Sequence, residues 1–181
     1  MAKRVSFSDQ ELELEKIAAH YESLTAALRE YYSAASPSFL ARHSLNTRAE
    51  VEEELSLRLA EVEHTSSLSI LAATEAALRI DYLMRAYNRS RDSLSRTLRA
   101  VYSLREEKAS LEDDIVAAWA STVMPKQIAG HLKGAFKYRH WLAHGRYWTP
   151  KFGQVYDYYT VYSIAVSVFN ILEQYEEGNP R

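Results

Sequence analysis

The chain contains no cysteine. That removes disulfides, iron–sulfur clusters, thiolate zinc sites and cysteine nucleophiles together. Glycine is scarce, at 5 of 181 residues, and proline scarcer, at 4. A sandwich or barrel needs a turn every ~8–12 residues, so this shortage argues against an all-β fold. No apolar run approaches the ~18 residues of a membrane span. No secretory leader is recognisable: Met1–Arg4 is basic, but Ser8–Lys16 is charged where an apolar stretch would be needed. These absences lead to the expectation of a soluble, cytoplasmic protein without membrane association. What is present is an ordinary globular balance, 47% hydrophobic and 25% charged, in a length suited to one compact domain.

A further absence is regional. From Ile115 to Tyr156 there is no Asp or Glu, although the whole chain has a net charge of only −2. The same window holds Lys126, Lys133, Lys137, Arg139, Arg146 and Lys151, with His131, His140 and His144. The remainder carries sixteen basic residues against all 24 acids, a net of −8. Segregation of this kind marks where an anion would sit.

Apolar spacing predicts helices throughout. Ser8…Glu11 has the pattern of a capping box opening a first helix with Leu12, Ile17, Tyr21, Leu24 and Leu28, ending near Ser33 before Ser36-Pro37. Thr47…Glu50 repeats the pattern. The helix it opens runs through Val51, Leu55, Leu59, Val62, Leu71, Leu78 and Tyr82 to about Tyr87, with a kink expected near His64–Ser67, where hydroxyls compete for backbone hydrogen bonds. Ser93–Lys108 and Leu111–Val123 follow. Pro125 suits the first turn of a helix reaching His144, with Gly145 as the residue past its end. Tyr156–Glu176 reads as the last helix, from its 3/4 spacing. The prediction is an all-α, antiparallel bundle of five or six helices, without strands. Residues 1–46 form an N-terminal helix and linker packed on a bundle of residues 47–181, a single compact domain overall.

The densest chemistry lies in Lys137–Trp148. His140 and His144, at i and i+4, share a helix face and could share a metal ion. A zinc protease would need Glu after the first His, where Trp141 stands, and no third ligand is nearby in sequence. A plain structural role is the second reading: Tyr138, Trp141 and Leu142 as core, with the histidines favoured by the helix C-terminus. Acid–base work on a phosphodiester is the third. RNA cleavage without metal needs a base for the 2′-hydroxyl, an acid for the leaving 5′-oxygen and a cation for the phosphate. Histidine suits the first two roles and arginine the third. On an ideal helix Arg139 and His144 lie about 140° apart; fraying near Gly145, or a second copy of the chain brought into reach by symmetry, would let them act together.

Arg139-His140-x-x-x-His144 resembles the Arg–polar–x-x-x–His signature of the HEPN superfamily. The late position of the motif, the apolar helix after it and the Leu68–Arg85 segment with Glu75 are also similar to that family, over roughly residues 47–175. The resemblance implies a compact helical bundle and a metal-independent endoribonuclease of toxin–antitoxin, phage-defence or other RNA-processing systems, needing no cofactor. It implies that Arg139 and His144 are catalytic, that His140 fills the polar position, and that two protomers face their motifs across a two-fold axis. An antitoxin or defence protein is the implied partner. One departure concerns that partner: versions paired with nucleotidyltransferase antitoxins often carry Tyr two residues past the last His, where this chain has Arg146, with Tyr147 next.

Lys133, Lys137, Arg146 and Tyr147 are the expected RNA-binding residues around the motif. Glu75 is expected either to pair with Arg79 four residues on or to point at the site and orient Arg139 or a histidine. Arg85, Arg89, Arg91, Arg96, Arg99 and Arg105 read as a mostly solvated basic face. His20, His43 and His64 have no evident partners, and most of the 13 tyrosines read as core or interface. The alternative function is a non-catalytic domain of the same shape that holds RNA, a nucleotide or a partner protein.

Overall fold

The computed structural model describes residues 4–8, 10–88 and 90–179. Among them the chain is all helical: α1 (Leu14–Tyr31), α2 (Phe39–His43), α3 (Arg48–Asn88), α4 (Ser93–Arg105), α5 (Ala117–Thr122), α6 (Lys126–Ala143) and α7 (Tyr158–Gly178). A 3-10 turn (Glu106–Lys108) and a π-helical turn (Leu111–Val116) join α4 to α5. The seven α-helices exceed the five or six expected. The extra one is the short α2; the expected Leu111–Val123 helix is present as a π turn followed by α5.

The axis of the molecule is α3, 41 residues long, or about 60 Å at 1.5 Å per residue. Its start is the expected capping box: the Thr47 N–H donates to Glu50 Oε2 at 2.7 Å, and the Glu50 N–H to Thr47 Oγ1 at 3.3 Å. The helix runs unbroken through His64–Ser67, where a kink was expected. The Thr65 hydroxyl donates to the Glu61 carbonyl at 3.0 Å without interrupting the helix.

Long-range pairings set the direction of each neighbour. Tyr21 of α1, close enough to Glu63 of α3 to feel its charge, stacks on Tyr158 at 3.6 Å, and Asn179 O accepts from Arg85 at 3.4 Å, so α7 runs parallel to α3. Arg139 meets Glu75 while Arg146 meets Glu61, so α6 runs antiparallel. Leu14, Ile17 and Tyr21 of α1 join the same core as Leu71, Leu78, Trp119, Leu132 and Val161. The N-terminal helix therefore shares its core with the helices that follow.

Several helix starts differ from the sequence reading. Ser8…Glu11 caps nothing: α1 begins at Leu14 with Glu13 as an N-cap lacking any side-chain bond, and Leu12 is exposed. Asp9 lies outside the described residues. The preceding segment is instead extended and tied to the far end of α3, with the Val5 N–H donating to Tyr87 Oη at 3.0 Å and Phe7 packed on the core. Pro125 is the N-cap of α6 rather than its first residue, and α7 starts at an unforeseen cap, Asp157, which accepts from the Thr160 N–H at 2.7 Å.

Arg85 overturns the solvated basic face. Its side chain is fully buried, 0% exposed. Nε donates to Asp81 Oδ1 at 2.9 Å, Nη1 donates to Ser95 Oγ at 3.3 Å and lies 3.7 Å from Asp92 Oδ2, and the guanidinium packs over the rings of Trp119 and Tyr175. Asp92 in turn caps α4 through the Ser95 N–H and accepts from Tyr175 Oη at 2.8 Å. The network joins the ends of α3 and α7 to the start of α4. Arg99 is also engaged, donating to the Ser90 carbonyl. Arg89 lies outside the described residues.

Candidate functional site

The C-terminal end of α6 is built as the local sequence requires. The Gly145 N–H bonds to Leu142 O at 3.3 Å, and the Arg146 N–H to Trp141 O at 3.1 Å. With Gly145 at φ +77°, this is a Schellman closure, which demands a left-handed residue that glycine supplies without strain. His144 is therefore the C-cap, at the negative end of the helix dipole. Its ring lies 4.2 Å from that of His140, centroid to centroid. Both residues are exposed.

The chain after α6 folds back onto it through aromatic contacts. Trp141 Nε1 donates to the Trp148 carbonyl at 2.8 Å, and Tyr138 packs between Trp141, Phe152 and Tyr156. Gly134 makes room for this return, since a Cβ there would collide with the Tyr156 hydroxyl. Burial, with the nearby Glu63 charge, pushes the Tyr138 phenol up to about 12, so it is a neutral core group.

Glu75 performs both roles considered for it. Oε1 accepts from Arg79 Nε at 2.8 Å and Oε2 lies 2.8 Å from Arg139 Nη2. The carboxylate is mostly buried, 17% exposed, between two guanidinium groups. It fixes Arg139 against α3 and leaves Arg139 Nε buried without a hydrogen bond. Arg139 and His140 then line one cleft of about 620 Å³, together with Arg79, Ser110–Asp113, Phe136, Lys137, Trp148 and Pro150–Phe152. His144 is not among the lining residues; it sits one turn beyond, where the exposed face of α6 ends.

The expected RNA-binding residues separate. Lys133, Lys137, His140 and His144 follow one another at spacings of four, three and four residues, a single stripe along α6. Lys137 also enters the cleft. Tyr147 stands 83% exposed beside Trp148. Arg146 turns the other way. Its Nη2 lies 2.8 Å from Glu61 Oε2 and its Nη1 is 2.7 Å from His64 Nδ1, so its role is to hold the end of α6 to α3. His64, without an evident partner in the sequence, is that contact, and His43 stacks on Tyr32 at 5.3 Å.

No known protein family, curated protein or solved structure matches the chain.

Charge divides the surface. A larger groove of about 1080 Å³ between residues 7–15, α3 and α7 contains Glu11, Glu13, Glu15, Asp81, Glu173, Glu176 and Glu177, and no cation among the described lining residues. That groove repels phosphate. The α6 stripe, with Lys133 and Lys137, carries the opposite sign. Among the described residues no group of three His, Cys, Asp or Glu side chains is arranged to hold a metal ion, and no helix is long and apolar enough to cross a membrane.

The Arg146 contact is testable through His64. Burial, and then the Arg146 charge, lower its pKa, against the opposing pull of Glu61 and Glu63. The contact is therefore favoured above the ordinary imidazole range and is weakened as pH falls and the ring takes a proton. Arg146→Gln is expected to raise the His64 pKa in an NMR titration. An unchanged titration would separate the two residues.

Proposed function

We propose that the protein is a metal-independent endoribonuclease of the HEPN type, acting as a homodimer. The observation that carries this reading is the conjunction at the end of α6: Arg139 held by Glu75 at the wall of a cleft, beside His140, with the His144 ring 4.2 Å from that of His140. Arg139 would clasp the phosphate and stabilise charge on the phosphorane. One histidine takes the 2′-hydroxyl proton as that oxygen attacks phosphorus. Another gives a proton to the departing 5′-oxygen, leaving a 2′,3′-cyclic phosphate and a 5′-hydroxyl. One motif offers His144 once, so the dimer supplies the second copy. Tyr147 and Val155, between α6 and α7, and Tyr159, at the start of α7, are exposed large apolar side chains that a two-fold contact would cover. The resemblance extends this reading to a toxin–antitoxin or phage-defence setting, with an antitoxin or defence protein as partner.

A second reading has its own observation. Glu75 already engages Arg139 in an ion pair, which suits a domain that holds RNA or a partner without cutting it.

Labelled RNA, with product ends analysed, separates the two. The expected result is cleavage that survives EDTA, yields cyclic phosphate ends, and accompanies a dimer mass at tens of micromolar. Binding without cleavage favours the second reading. Loss of activity in EDTA with rescue by zinc would return the His140/His144 pair to the role of metal ligands.

A further inference from the structure

The cleft beside Arg139 contains more than a phosphate clasp needs. Its cations, Arg79, Lys137, Arg139 and Lys151, come from α3, α6 and the return loop. Phe136, Trp148 and Phe152 add aromatic surface. The Ser110–Asp113 segment contributes the carboxylates of Glu112 and Asp113, which attract no phosphate. They belong to the π-helical turn, Leu111–Val116, a rare irregularity that is frequent at functional sites. Ser110 anchors that turn: its N–H donates to Asp114 Oδ2 at 2.8 Å and its hydroxyl accepts from the Asp113 N–H at 3.2 Å. The Asp113 carboxylate is within 3.5 Å of the Ser110 hydroxyl. Glu112 is half-buried at the cleft, and among the described residues it has neither an ion-pair nor a hydrogen-bond partner.

An ionised carboxylate only accepts hydrogen bonds, and its two oxygens accept two parallel donors. The Watson–Crick edge of guanine offers such a pair, N1–H and the 2-amino group. Adenine and cytosine offer one exocyclic amino group, and uracil a single ring N–H. Bases of single-stranded RNA are recognised by stacking on aromatic side chains together with bonds to this edge.

We propose that this cleft is a guanine-selective subsite for single-stranded RNA, in which Glu112 accepts from the guanine edge, Trp148 or Phe152 supports the base, and Lys137 and Lys151 attract the adjoining phosphates. The inference rests on the ribonuclease reading for its cleavage consequence, and on the cleft alone for binding.

Two measurements test it. The first maps cut sites on an RNA containing all four bases, and on the same RNA with inosine, which lacks the 2-amino group, in place of guanosine. Cleavage next to guanosine is expected, reduced about tenfold by inosine, the size of one charge-assisted hydrogen bond. The second compares binding of guanosine 3′-monophosphate with the adenosine, cytidine and uridine counterparts by quenching of tryptophan fluorescence. A preference for guanosine of about tenfold or more is expected in the wild type, and its loss in Glu112→Gln, checked for an unchanged helical circular dichroism signal. Cleavage indifferent to base, or a guanosine preference that survives Glu112→Gln, overturns the guanine subsite and leaves the ribonuclease reading standing. Guanosine-selective binding without cleavage of any RNA supports the subsite and overturns the ribonuclease reading. Binding indifferent to base, without cleavage, overturns both.

Discussion

His144→Ala is expected to abolish RNA cleavage while leaving the helical circular dichroism signal and the dimer intact. His144 is exposed and caps α6 through its backbone, so its ring adds little to packing. A positioned general acid or base contributes about 10²–10⁴ in rate, and a two-fold site loses both copies at once. RNA binding should persist, because Lys133 and Lys137 supply phosphate attraction, and it should weaken with salt. Arg139→Lys should also be severely impaired, for two reasons. A point charge does not reproduce a planar fork at phosphate, and the reach to Glu75 changes. Glu75→Gln offers the complementary test: Arg139 loses its anchor but keeps its charge, so cleavage falls while binding is retained. Equal cleavage by wild type and His144→Ala, or products with 3′-hydroxyl ends, would reject the mechanism.

The largest expected effect on stability is elsewhere. Arg85→Met should cost about 3–5 kcal/mol, read from urea unfolding, because removing one partner of a buried ion network strands the other. Asp81 and Asp92 would be left facing the gap, with side chains only 4% and 10% exposed. Burial opposes ionisation of Asp92, but bonds from Ser95 and Tyr175 and the Arg85 charge together hold its pKa below the ordinary range. Its contribution is therefore present above the usual Asp pKa and lost as pH falls through the lowered folded value. The Arg85→Met variant should lose part of that acid dependence. A cost within about 0.5 kcal/mol, the range of an ordinary surface substitution, would contradict the buried network.

The features legible in the sequence were those whose causes are local. Thr47…Glu50 formed its capping box because both partners lie within one turn. Gly145 closed α6 because a left-handed residue is a local backbone requirement. Apolar periodicity identified the long α3 and the helical character of α7, although Val161–Val168 is rich in β-branched residues. The acid-free window, a matter of composition alone, supplies one wall of the cleft, while Glu75, Arg79 and Ser110–Asp113 come from outside it.

What only the tertiary structure decided depended on residues far apart in the chain. Ser8…Glu11 has the same local signature as Thr47…Glu50, but the segment before α1 is drawn out along α3 and fixed at Tyr87. Arg85 resembles its solvated neighbours in sequence. Its burial comes from Asp92, Tyr175 and Asn179 converging on it from other helices. Glu75 has Arg79 within one turn, so spacing shows that pair; Arg139 reaches the other oxygen only because α6 packs antiparallel on α3. Arg146 and Lys137 are both cationic and equally close to the motif, yet Glu61 and His64 tie one to α3 while the other faces the cleft. Charge and spacing along one helix are written in the sequence; which opposite charge arrives from a distant helix is set by the packing of the whole bundle, and that determines whether an arginine supports the fold or meets a ligand.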